Sequence, residues 1–554
     1  MKRGTIVLHP ILFAVFPTLF LFAQNLGGFR LGEMAPPAVS AAVIAGAAWL
    51  GLAFLMKNGR KAGIIVAALA VMFSSYGYFA EILYKAGLSG EWTVRIIIFA
   101  AYAAIFAGVI AVVVKAKGTL VNVTRALNFS AAFLVAVSAA RIGAYEVGEW
   151  RSREAFRSQL EAGSPVKLTR PTEAHNIFYI ILDAYGRADN LKELYGFDNS
   201  ETLQFLKSKG FYIAEQSRTN YSHTTLSIPS FMNFRYLATV SGKAASEDVV
   251  PLRDMLGNNK ACELLRGVGY RIVSFNSRDE IYSPDVCMAP KGESDFTRGL
   301  DTSSAASTPE GERAKDRARI VATFEHLPDA ADLAGPVFVY AHIMAPHPPF
   351  VFLADGEDPG YERYFGTGSA DAIIRPGALT REEDKKQYCE QLAYVNKLLE
   401  SAVEGILAKS KIPPIIVIQG DHGPGAYLCH ESIKATYLAD RMSILNAYYL
   451  PDGADKMLYS SITPVNTFRV IFNAYFGAKC PLLKDESYFA PLNRPWDPIN
   501  VTAQINSPED KARLAMLERM DYFPRMPTAK EDSQRHRKVD GAKQTRPRQA
   551  LTQG

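Results

Sequence analysis

Cysteine is scarce in this chain of 554 residues. The five cysteines are Cys262, Cys287, Cys389, Cys429 and Cys480. No two of them have the Cys-x-x-Cys spacing, which argues against a thiolate zinc site. Their odd number leaves at least one without a disulfide partner within the chain. We expect Cys262 and Cys287 to form a bridge, because they are close in sequence.

Long apolar runs are absent after about Val147, but five precede it. Each approaches the roughly 20 residues that span a bilayer. The five runs cover residues 6–22, 38–56, 62–83, 94–114 and 127–147. One such run could be a buried core helix, or a signal peptide in the case of the first. Five in succession, joined by short loops, predict an integral membrane domain over residues 1–149.

Positive charge is unevenly distributed among the loops between these runs. The cations that fall on one side are Lys2, Arg3, Lys57, Arg60, Lys61, Lys115 and Lys117. An excess of cations marks the cytoplasmic side, so the N-terminus is predicted inside. Five crossings then place the rest of the chain outside, which for a bacterial inner (plasma) membrane means the periplasm or the cell surface. Nucleic acid is not expected as a partner there.

The remaining chain divides into three predicted parts. Residues 150–174 form a charged juxtamembrane helix and linker, 175–505 a catalytic domain, and 506–554 a C-terminal extension. From Lys530 onward this extension is basic and lacks apolar periodicity, so we expect a disordered tail, either inert or in contact with anionic headgroups. The formal net charge of +5 comes mostly from this tail.

Strand-like and helix-like stretches alternate in the catalytic part. The strand-like runs are 177–182, 211–214, 271–275, 337–343, 415–418 and 444–450, and the helix-like stretches are 201–209, 261–268, 314–326 and 381–409. This alternation is typical of βαβ units. It predicts a doubly wound, mostly parallel sheet that ends near residues 490–501.

Two apolar strands end on residues that bind metals. The first ends at Asp183, and the second is followed by Asp421 and His422. Open α/β sheets place their chemistry beyond the carboxyl ends of such strands. Two carboxylates and an imidazole there form a plausible divalent-metal site. The structural alternatives are a helix-capping aspartate at 183 and a turn aspartate with a surface histidine at 421–422.

A hydroxyl-rich segment between these strands, the nucleophile turn (residues 220–230), offers a nucleophile. Thr224 and Thr225 compete for that role, since a metal bound to a threonine oxygen would lower its pKa. The neighbouring hydroxyls of Ser222, Ser227 and Ser230 could do no more than satisfy backbone groups in a turn.

Three histidines are further candidates. His347 lies in a Pro-rich loop and could hold a phosphoryl oxygen, protonate a leaving group or bind a second metal. His342 lies within an apolar run, where it could contact substrate or be a core histidine. His430 follows His422 by eight residues, and its alternative is an ordinary surface loop.

Taken together, these motifs resemble the alkaline phosphatase superfamily in its sulfatase-like branch. The five apolar runs before an exported domain resemble membrane phosphoethanolamine transferases and, less closely, lipoteichoic acid synthases. The sequence Gly186-Arg187-Ala188-Asp189 is similar to a short motif of the transferases. Ser227-Ile228-Pro229 matches their Ser-Val-Pro, which puts the nucleophile at Thr224.

The resemblance also implies roles for individual residues. It implies that Asp183, Thr224, Asp421 and His422 bind the metal, zinc or manganese in the family, with one site expected and a second possible. It implies that His347 and His342 contact the phosphoryl group or substrate, as does His430. This chain departs from the transferases in three ways. After Asp-His-Gly it continues with Pro424-Gly425-Ala426-Tyr427 and lacks their usual Glu-Ser. Asp183 stands where they usually have Glu, and their cysteines around the nucleophile are absent, with Ser230 in one such place and His223 nearby.

The resulting hypothesis is a membrane transferase with a covalent Thr224 intermediate. Its donor would be a membrane phospholipid and its acceptor an envelope glycan or lipid. A sulfatase-like hydrolase, either a phosphodiesterase or a sulfuric ester hydrolase, is the first alternative. The formylglycine signature Cys/Ser-x-Pro-x-Arg begins correctly at Ser227, but Phe231 stands at its Arg position. A non-catalytic envelope scaffold with a relic site is the second alternative. Specificity is expected in the loops 285–307 and 353–376.

Overall fold

The computed structural model describes residues 5–85, 88, 91–161, 166–237, 247–275, 281–288, 296–297, 300, 309–360 and 380–520. Its first part is a bundle of apolar helices. They are α1 (His9–Gln24), α2 (Leu31–Met56), α3 (Gly59–Lys85), α4 (Glu91–Lys115) and α5 (Val121–Glu161). The last four are long and apolar enough to cross a membrane. Large apolar side chains point outward, with Phe54 83% exposed, as expected of helices that face lipid. The chain is therefore a multi-span membrane protein.

Helix α1 is shorter than the other four. Its 16 residues extend about 24 Å at the usual helical rise. It runs beside α5, where Asn128 Oδ1 accepts from the backbone N–H groups of Leu8 and His9 at 3.0 and 2.9 Å. At the other end, Arg141 Nη1 donates to Gln24 Oε1 at 3.4 Å. Packing against α5 favours a membrane crossing by α1 as well, but that fifth crossing stays a prediction. The side of the membrane on which the following domain lies depends on it.

Helix α5 contains both the predicted fifth span and the start of the predicted juxtamembrane segment. It is one continuous helix of 41 residues. No proline interrupts it, so the helix continues unbroken from the apolar span into the charged segment that begins at Arg151. A single uninterrupted helix therefore extends from the bundle to Glu161, shortly before the catalytic domain begins.

An α/β domain follows the bundle. Its strands are β1 (Ile177–Leu182), β2 (Tyr212–Ile213), β3 (Arg271–Ser274), β4 (Val286–Cys287), β5 (Val337–Ile343), β6 (Ile415–Gly420), β7 (Asn446–Tyr449), β8 (Tyr488–Phe489) and β9 (Ile499–Asn500). Its α-helices are α6 (Ala188–Tyr195), α7 (Ser200–Ser208), α8 (Thr224–Met232), α9 (Val250–Gly257), α10 (Lys260–Gly267), α11 (Pro309–His326), α12 (Arg381–Lys409), α13 (Leu438–Met442), α14 (Thr467–Tyr475) and α15 (Pro508–Glu518). Short 3₁₀ helices cover Leu327–Asp332, Ile433–Ala435, Ala454–Met457 and Pro464–Asn466.

Seven strands form the main sheet, in the order β2-β7-β6-β1-β5-β3-β4. Strand β1 is parallel to both of its neighbours, and its Leu182 pairs with Ile343 of β5 and Gly420 of β6. Only β7 runs antiparallel to its partners among the described strands of this sheet. The predicted doubly wound, mostly parallel sheet is confirmed. The sequence prediction missed β4, a two-residue strand too short to show a hydrophobic pattern.

The sheet is buried on both faces because its central strands alternate their side chains between two cores. Phe178, Ile180 and Leu182 enter the core that α12 covers. Tyr179 and its neighbours on the opposite face enter a second core, which contains residues of α8, α10 and α14. All six residues of β1 are buried, which explains the continuous apolar run in the sequence.

Among the predictions for the outer parts of the domain, the structure tests the disulfide. No disulfide joins any of the five cysteines, so the expected Cys262–Cys287 bridge is wrong. Cys262 is buried in the core from α10, whereas Cys287 is exposed at the end of β4. The basic tail from Lys530 onward and most of the loops 285–307 and 353–376 lie outside the described residues.

The predicted domain boundaries, including the one at 505/506, stay predictions. Helix α15, beyond that boundary, packs onto the catalytic domain. Its Asp510 is buried and accepts hydrogen bonds from the backbone N–H groups of Leu438 and Ala439, at 2.9 and 3.2 Å.

Candidate metal and nucleophile site

The register of the central strands brings the predicted metal ligands together. Because Leu182 pairs with Gly420, the residues that follow them, Asp183 and Asp421, emerge side by side at the carboxyl edge of the sheet. Ala184 has a positive φ of 63°, an uncommon conformation for a residue with a side chain, and its N–H donates to Asp421 Oδ1 at 3.2 Å. Gly420 leaves room for this turn, since a Cβ there would lie 2.6 Å from the carbonyl oxygen of Tyr185.

Five buried side chains converge at this edge in two overlapping groups. One group is Asp183, His347 and His422, and the other is Asp183, His342 and Asp421. Within each group the ligand atoms lie within 4.8 Å of one another. Asp183 Oδ2 is 3.2 Å from His342 Nε2, and Asp183 Oδ1 is 3.5 Å from His422 Nε2. His342 is therefore part of the cluster although it lies within a strand.

The two carboxylates have the properties of metal ligands. Asp183 Oδ1 and Asp421 Oδ2 are buried and accept no hydrogen bond from the described residues. A buried carboxylate oxygen without a donor is unfavourable unless a cation or a proton compensates for it. The set of carboxylate oxygens and imidazole nitrogens suits zinc or manganese. The residues present thus fit a divalent ion.

The surroundings of the two carboxyl groups shift their pKa values in opposite directions. Burial, and then the charge of Asp183, raise the pKa of Asp421 to about 7. Burial also tends to raise the pKa of Asp183, but the neighbouring His347, His342 and His422 outweigh it and hold that pKa well below its usual range. The cluster therefore concentrates negative charge at Asp183, while Asp421 needs a further positive charge to remain ionised at neutral pH.

Backbone carbonyls orient two of the histidines. His422 Nδ1 is 3.0 Å from the carbonyl oxygen of Gly423, and His347 Nδ1 is 2.6 Å from that of Pro348. A carbonyl only accepts, so Nδ1 carries the hydrogen in both rings. Nε2 is then the nitrogen able to bind a cation or, once the ring is protonated, to donate to a phosphoryl oxygen. Gln391 of α12 also holds the His347 loop, donating to the His347 carbonyl at 3.0 Å. The sequence analysis missed Gln391, since its spacing on α12 shows only an amphipathic helix.

Thr224 lies at the first position of α8, with His223 as the N-cap residue. Its Oγ1 is 3.1 Å from His422 Nε2, and the side chain is partly buried. Thr225 is exposed. Because Thr224 begins α8, the N–H groups of the first helical turn favour an anionic group beside it.

The serines of the nucleophile turn satisfy backbone groups. Ser227 Oγ donates to the carbonyl oxygen of Asp421 at 2.7 Å and lies 3.1 Å from Thr219 Oγ1. Ser230 Oγ donates to the carbonyl oxygen of Arg235. Ser222 Oγ accepts from the N–H of Ala490 at 3.3 Å. Thr219 Oγ1 also donates to the Asp421 carbonyl oxygen. Ser227 and Thr219 thereby connect the nucleophile turn to the metal-ligand turn, residues 421–423.

His430 is near this site but outside both metal-ligand groups. Its ring stacks on that of His223, with centroids 5.4 Å apart and planes at 26°. His223 Nε2 donates to the carbonyl oxygen of Ala490 at 2.8 Å. The structure therefore brings His430 to the residue that precedes Thr224, and a direct role on substrate stays a prediction.

A parallel sheet whose strand ends bring together carboxylates, imidazoles and a helix-terminal hydroxyl defines an α/β enzyme of the ester-transferring or ester-hydrolysing kind. The family model described as Sulfatase matches residues 175–469. Because that match covers more than half of the chain, the protein belongs to the sulfatase family and thus to the alkaline phosphatase superfamily of enzymes. No curated protein sequence matches the chain.

Several solved structures are similar at low identity. The zinc complex of the C-terminal periplasmic domain of EcEptC from Escherichia coli is 11% identical, with a TM-score of 0.40 over 61% of this chain and 95% of that one. The phosphoethanolamine transferase EptC domain from Campylobacter jejuni is 15% identical, with a TM-score of 0.34 over 57% and 95%. The integral membrane lipooligosaccharide phosphoethanolamine transferase A from Neisseria meningitidis is 12% identical, with a TM-score of 0.36 over 85% and 96%. At TM-scores below 0.5, these likenesses support no conclusion about activity.

Proposed function

We propose that the protein is a metal-dependent membrane transferase. It moves a phospho-headgroup, of phosphoethanolamine or phosphoglycerol type, from a phospholipid to a hydroxyl group of an envelope glycan or lipid. The observation that carries the proposal is the 3.1 Å contact between Thr224 Oγ1 and His422 Nε2 beside the buried Asp/His cluster. A threonine hydroxyl needs such an activating environment to act as a nucleophile.

Four residues would hold the ion, zinc or manganese: Asp183, Asp421, His422 and Thr224. When bound, the ion supplies positive charge that lowers the pKa of the hydroxyl and polarises the phosphoryl group. Thr224 Oγ1 loses its proton and attacks phosphorus, the bond from phosphorus to the diacylglycerol oxygen breaks, and that oxygen takes up the proton so that diacylglycerol leaves as the neutral alcohol. The acceptor hydroxyl then attacks phosphorus, the bond to Thr224 breaks, and the acceptor's proton returns to Thr224 Oγ1.

The histidines have distinct proposed roles. In the protonated ring, His347 Nε2 stabilises the developing charge on the phosphoryl oxygens or protonates the leaving oxygen; in the neutral ring it holds a second ion. His342 contacts Asp183 directly, which keeps that carboxylate charged and fixes its orientation within the cluster. His430 binds substrate from the side of His223.

The docking of the domain on the bundle supports a lipid donor. An apolar cluster joins Tyr221 and Leu226 of the nucleophile turn to Phe156 of α5 and to Trp496. The rings of Phe156 and Trp496 are 5.0 Å apart at 76°. The nucleophile turn thus packs against the end of a membrane helix, where lipid headgroups are concentrated. We place the N-terminus in the cytoplasm and the catalytic domain in the periplasm of a bacterial inner membrane.

A hydrolase is the alternative, in which water replaces the acceptor hydroxyl. Within that class a phosphodiesterase that uses Thr224 is favoured over a formylglycine sulfatase. Ser227, the residue that would be converted, is buried and donates to the Asp421 carbonyl. Phe231, at the position of the signature Arg, is buried and stacks on Tyr179 in the core, with centroids 5.6 Å apart. Neither side chain is placed for sulfatase chemistry.

Intact-mass spectrometry tests the proposal. The full-length protein in detergent is incubated with zinc or manganese and a defined phospholipid mixture. We expect a headgroup-sized adduct on the wild type and on Thr225→Ala, the matched control, but none on Thr224→Ala. An adduct that needs Thr225, or none on a metal-loaded wild type, would contradict the covalent Thr224 mechanism. Failure to bind metal would favour the scaffold with a relic site.

A further inference from the structure

Arg441 is the largest side chain that is fully buried in the described part of the chain, with 1% of its surface exposed. It lies on the short helix α13 and has no role in the chemistry above. Removing a guanidinium group from water is costly unless its N–H groups find acceptors. The acceptors of Arg441 therefore indicate what this residue does.

Two of those acceptors belong to the two turns that build the site. Arg441 Nε donates to the carbonyl oxygen of Ser222 at 2.7 Å, and Nη1 donates to that of Gly423 at 3.2 Å. Ser222 precedes Thr224 by two residues, and Gly423 directly follows His422. A single rigid, planar group thus joins the nucleophile turn to the metal-ligand turn.

The Gly423 carbonyl oxygen accepts twice, from Arg441 Nη1 and from His422 Nδ1. Arg441 therefore holds the atom that orients the His422 ring and directs its Nε2 toward Thr224 and Asp183. A backbone hydrogen bond also joins the same two residues, since the N–H of Gly423 donates to the carbonyl oxygen of Arg441 at 2.7 Å. No side chain fits at Gly423, because a Cβ would collide with the carbonyl oxygen of Ser443 at 2.8 Å.

We propose that Arg441 is a positioning residue, which sets the distance between Thr224 and His422 and thereby the affinity of the site for its metal. The inference rests on the proposed function for the identity of the site, but it concerns metal binding rather than turnover. Partners that hold a histidine ligand in place typically contribute 10- to 100-fold in metal affinity. A lysine could reach one of the two carbonyls as a point charge, whereas a methionine could reach neither by hydrogen bonding.

The test is the affinity of the metal-free, full-length protein for Zn²⁺ and for Mn²⁺, measured by competition with a chelator, together with the Tm of the metal-free form. The variants are Arg441→Met and Arg441→Lys. Arg469→Met is the matched control, because Arg469 also donates to backbone carbonyls, those of Phe234 and Pro481, in a different part of the domain.

We expect Arg441→Met to bind metal about 10- to 100-fold more weakly than the wild type, with Arg441→Lys in between. Arg469→Met should lower the Tm of the metal-free form and leave metal affinity unchanged. Wild-type affinity in folded Arg441→Met, or an equal loss in Arg469→Met, would overturn the inference.

Three further outcomes are also decisive. If Arg441→Met does not fold, Arg441→Lys decides the matter, because undiminished affinity in that variant overturns the proposal. A wild type that binds neither ion overturns both this inference and the proposed function. A wild type that binds metal but forms no adduct overturns only the covalent mechanism.

Discussion

Removal of bound metal should make the thermal stability of the protein depend on pH through Asp421. Without a cation, burial and then the charge of Asp183 raise the pKa of Asp421 from 3.8 to about 7. Between these two values the folded state binds more protons than the unfolded chain. The stability of the metal-free protein is therefore expected to fall as the pH rises through this window, and to level off above about pH 7.

The magnitude follows from the same pKa. A change from 3.8 to about 7 corresponds to about 4 kcal/mol, at about 1.4 kcal/mol for each tenfold change in proton affinity. Near pH 8 this is what ionising the buried Asp421 costs the folded protein in stability when no cation is bound. Chelation should therefore lower the Tm more at about pH 8 than at about pH 5. Asp421→Asn should raise the Tm of the metal-free protein near pH 8 and abolish the increment on adding metal.

The assay is thermal unfolding of the detergent-purified protein, with chelator or with Zn²⁺, across this pH range. Asp384→Asn is the matched control. Burial and then the charge of Asp440 raise the pKa of Asp384 to about 7, but Asp384 is in neither metal-ligand group. The Asp384→Asn substitution should raise the Tm of the metal-free protein over the same pH window and leave the rise in Tm on adding metal unchanged. A lower metal-free Tm in Asp421→Asn near pH 8 would refute the reasoning, since the Ala184 and His422 N–H donors would then suffice for the carboxylate.

Three further substitutions test other contacts. Ser227→Ala removes the hydroxyl that bonds the Asp421 carbonyl, so the free energy of unfolding should fall by about 1–3 kcal/mol in chemical denaturation; an unchanged value would mean that this bond is dispensable. Gly423→Ala forces a methyl group against neighbouring carbonyl oxygens, so Zn²⁺ affinity should fall at least about tenfold in a chelator competition; normal affinity would show that the turn adapts. Arg153→Ala removes the 2.8 Å ion pair with buried Asp248, between α5 and the catalytic domain. The free energy of unfolding should fall by about 1–3 kcal/mol, and an unchanged Tm would show that the apolar contacts alone hold the domain on the bundle.

The sequence by itself determined the features that depend on local hydrophobicity. Helices α2 to α5 each contain a long apolar span, most of whose side chains are not buried within the protein. Strands β1, β5 and β6 are short apolar runs that are almost wholly buried. The polar residues that interrupt these segments therefore stand out, which is why Asp183 and Asp421 could be identified as strand-end candidates. The sulfatase family followed from the same short motifs.

Only the tertiary structure decided how these candidates meet. Asp183 and His422 are 239 positions apart in sequence, and the pairing of β1 with β6 brings their ligand atoms to 3.5 Å. Arg441 and Gln391 carry no local signal, because a buried polar side chain is recognised only by the distant carbonyls it bonds. For the same reason, proximity in sequence predicted the Cys262–Cys287 bridge wrongly. Hydrophobic patterns are local, but hydrogen bonds, ligand sets and disulfides depend on distances that only the folded chain sets.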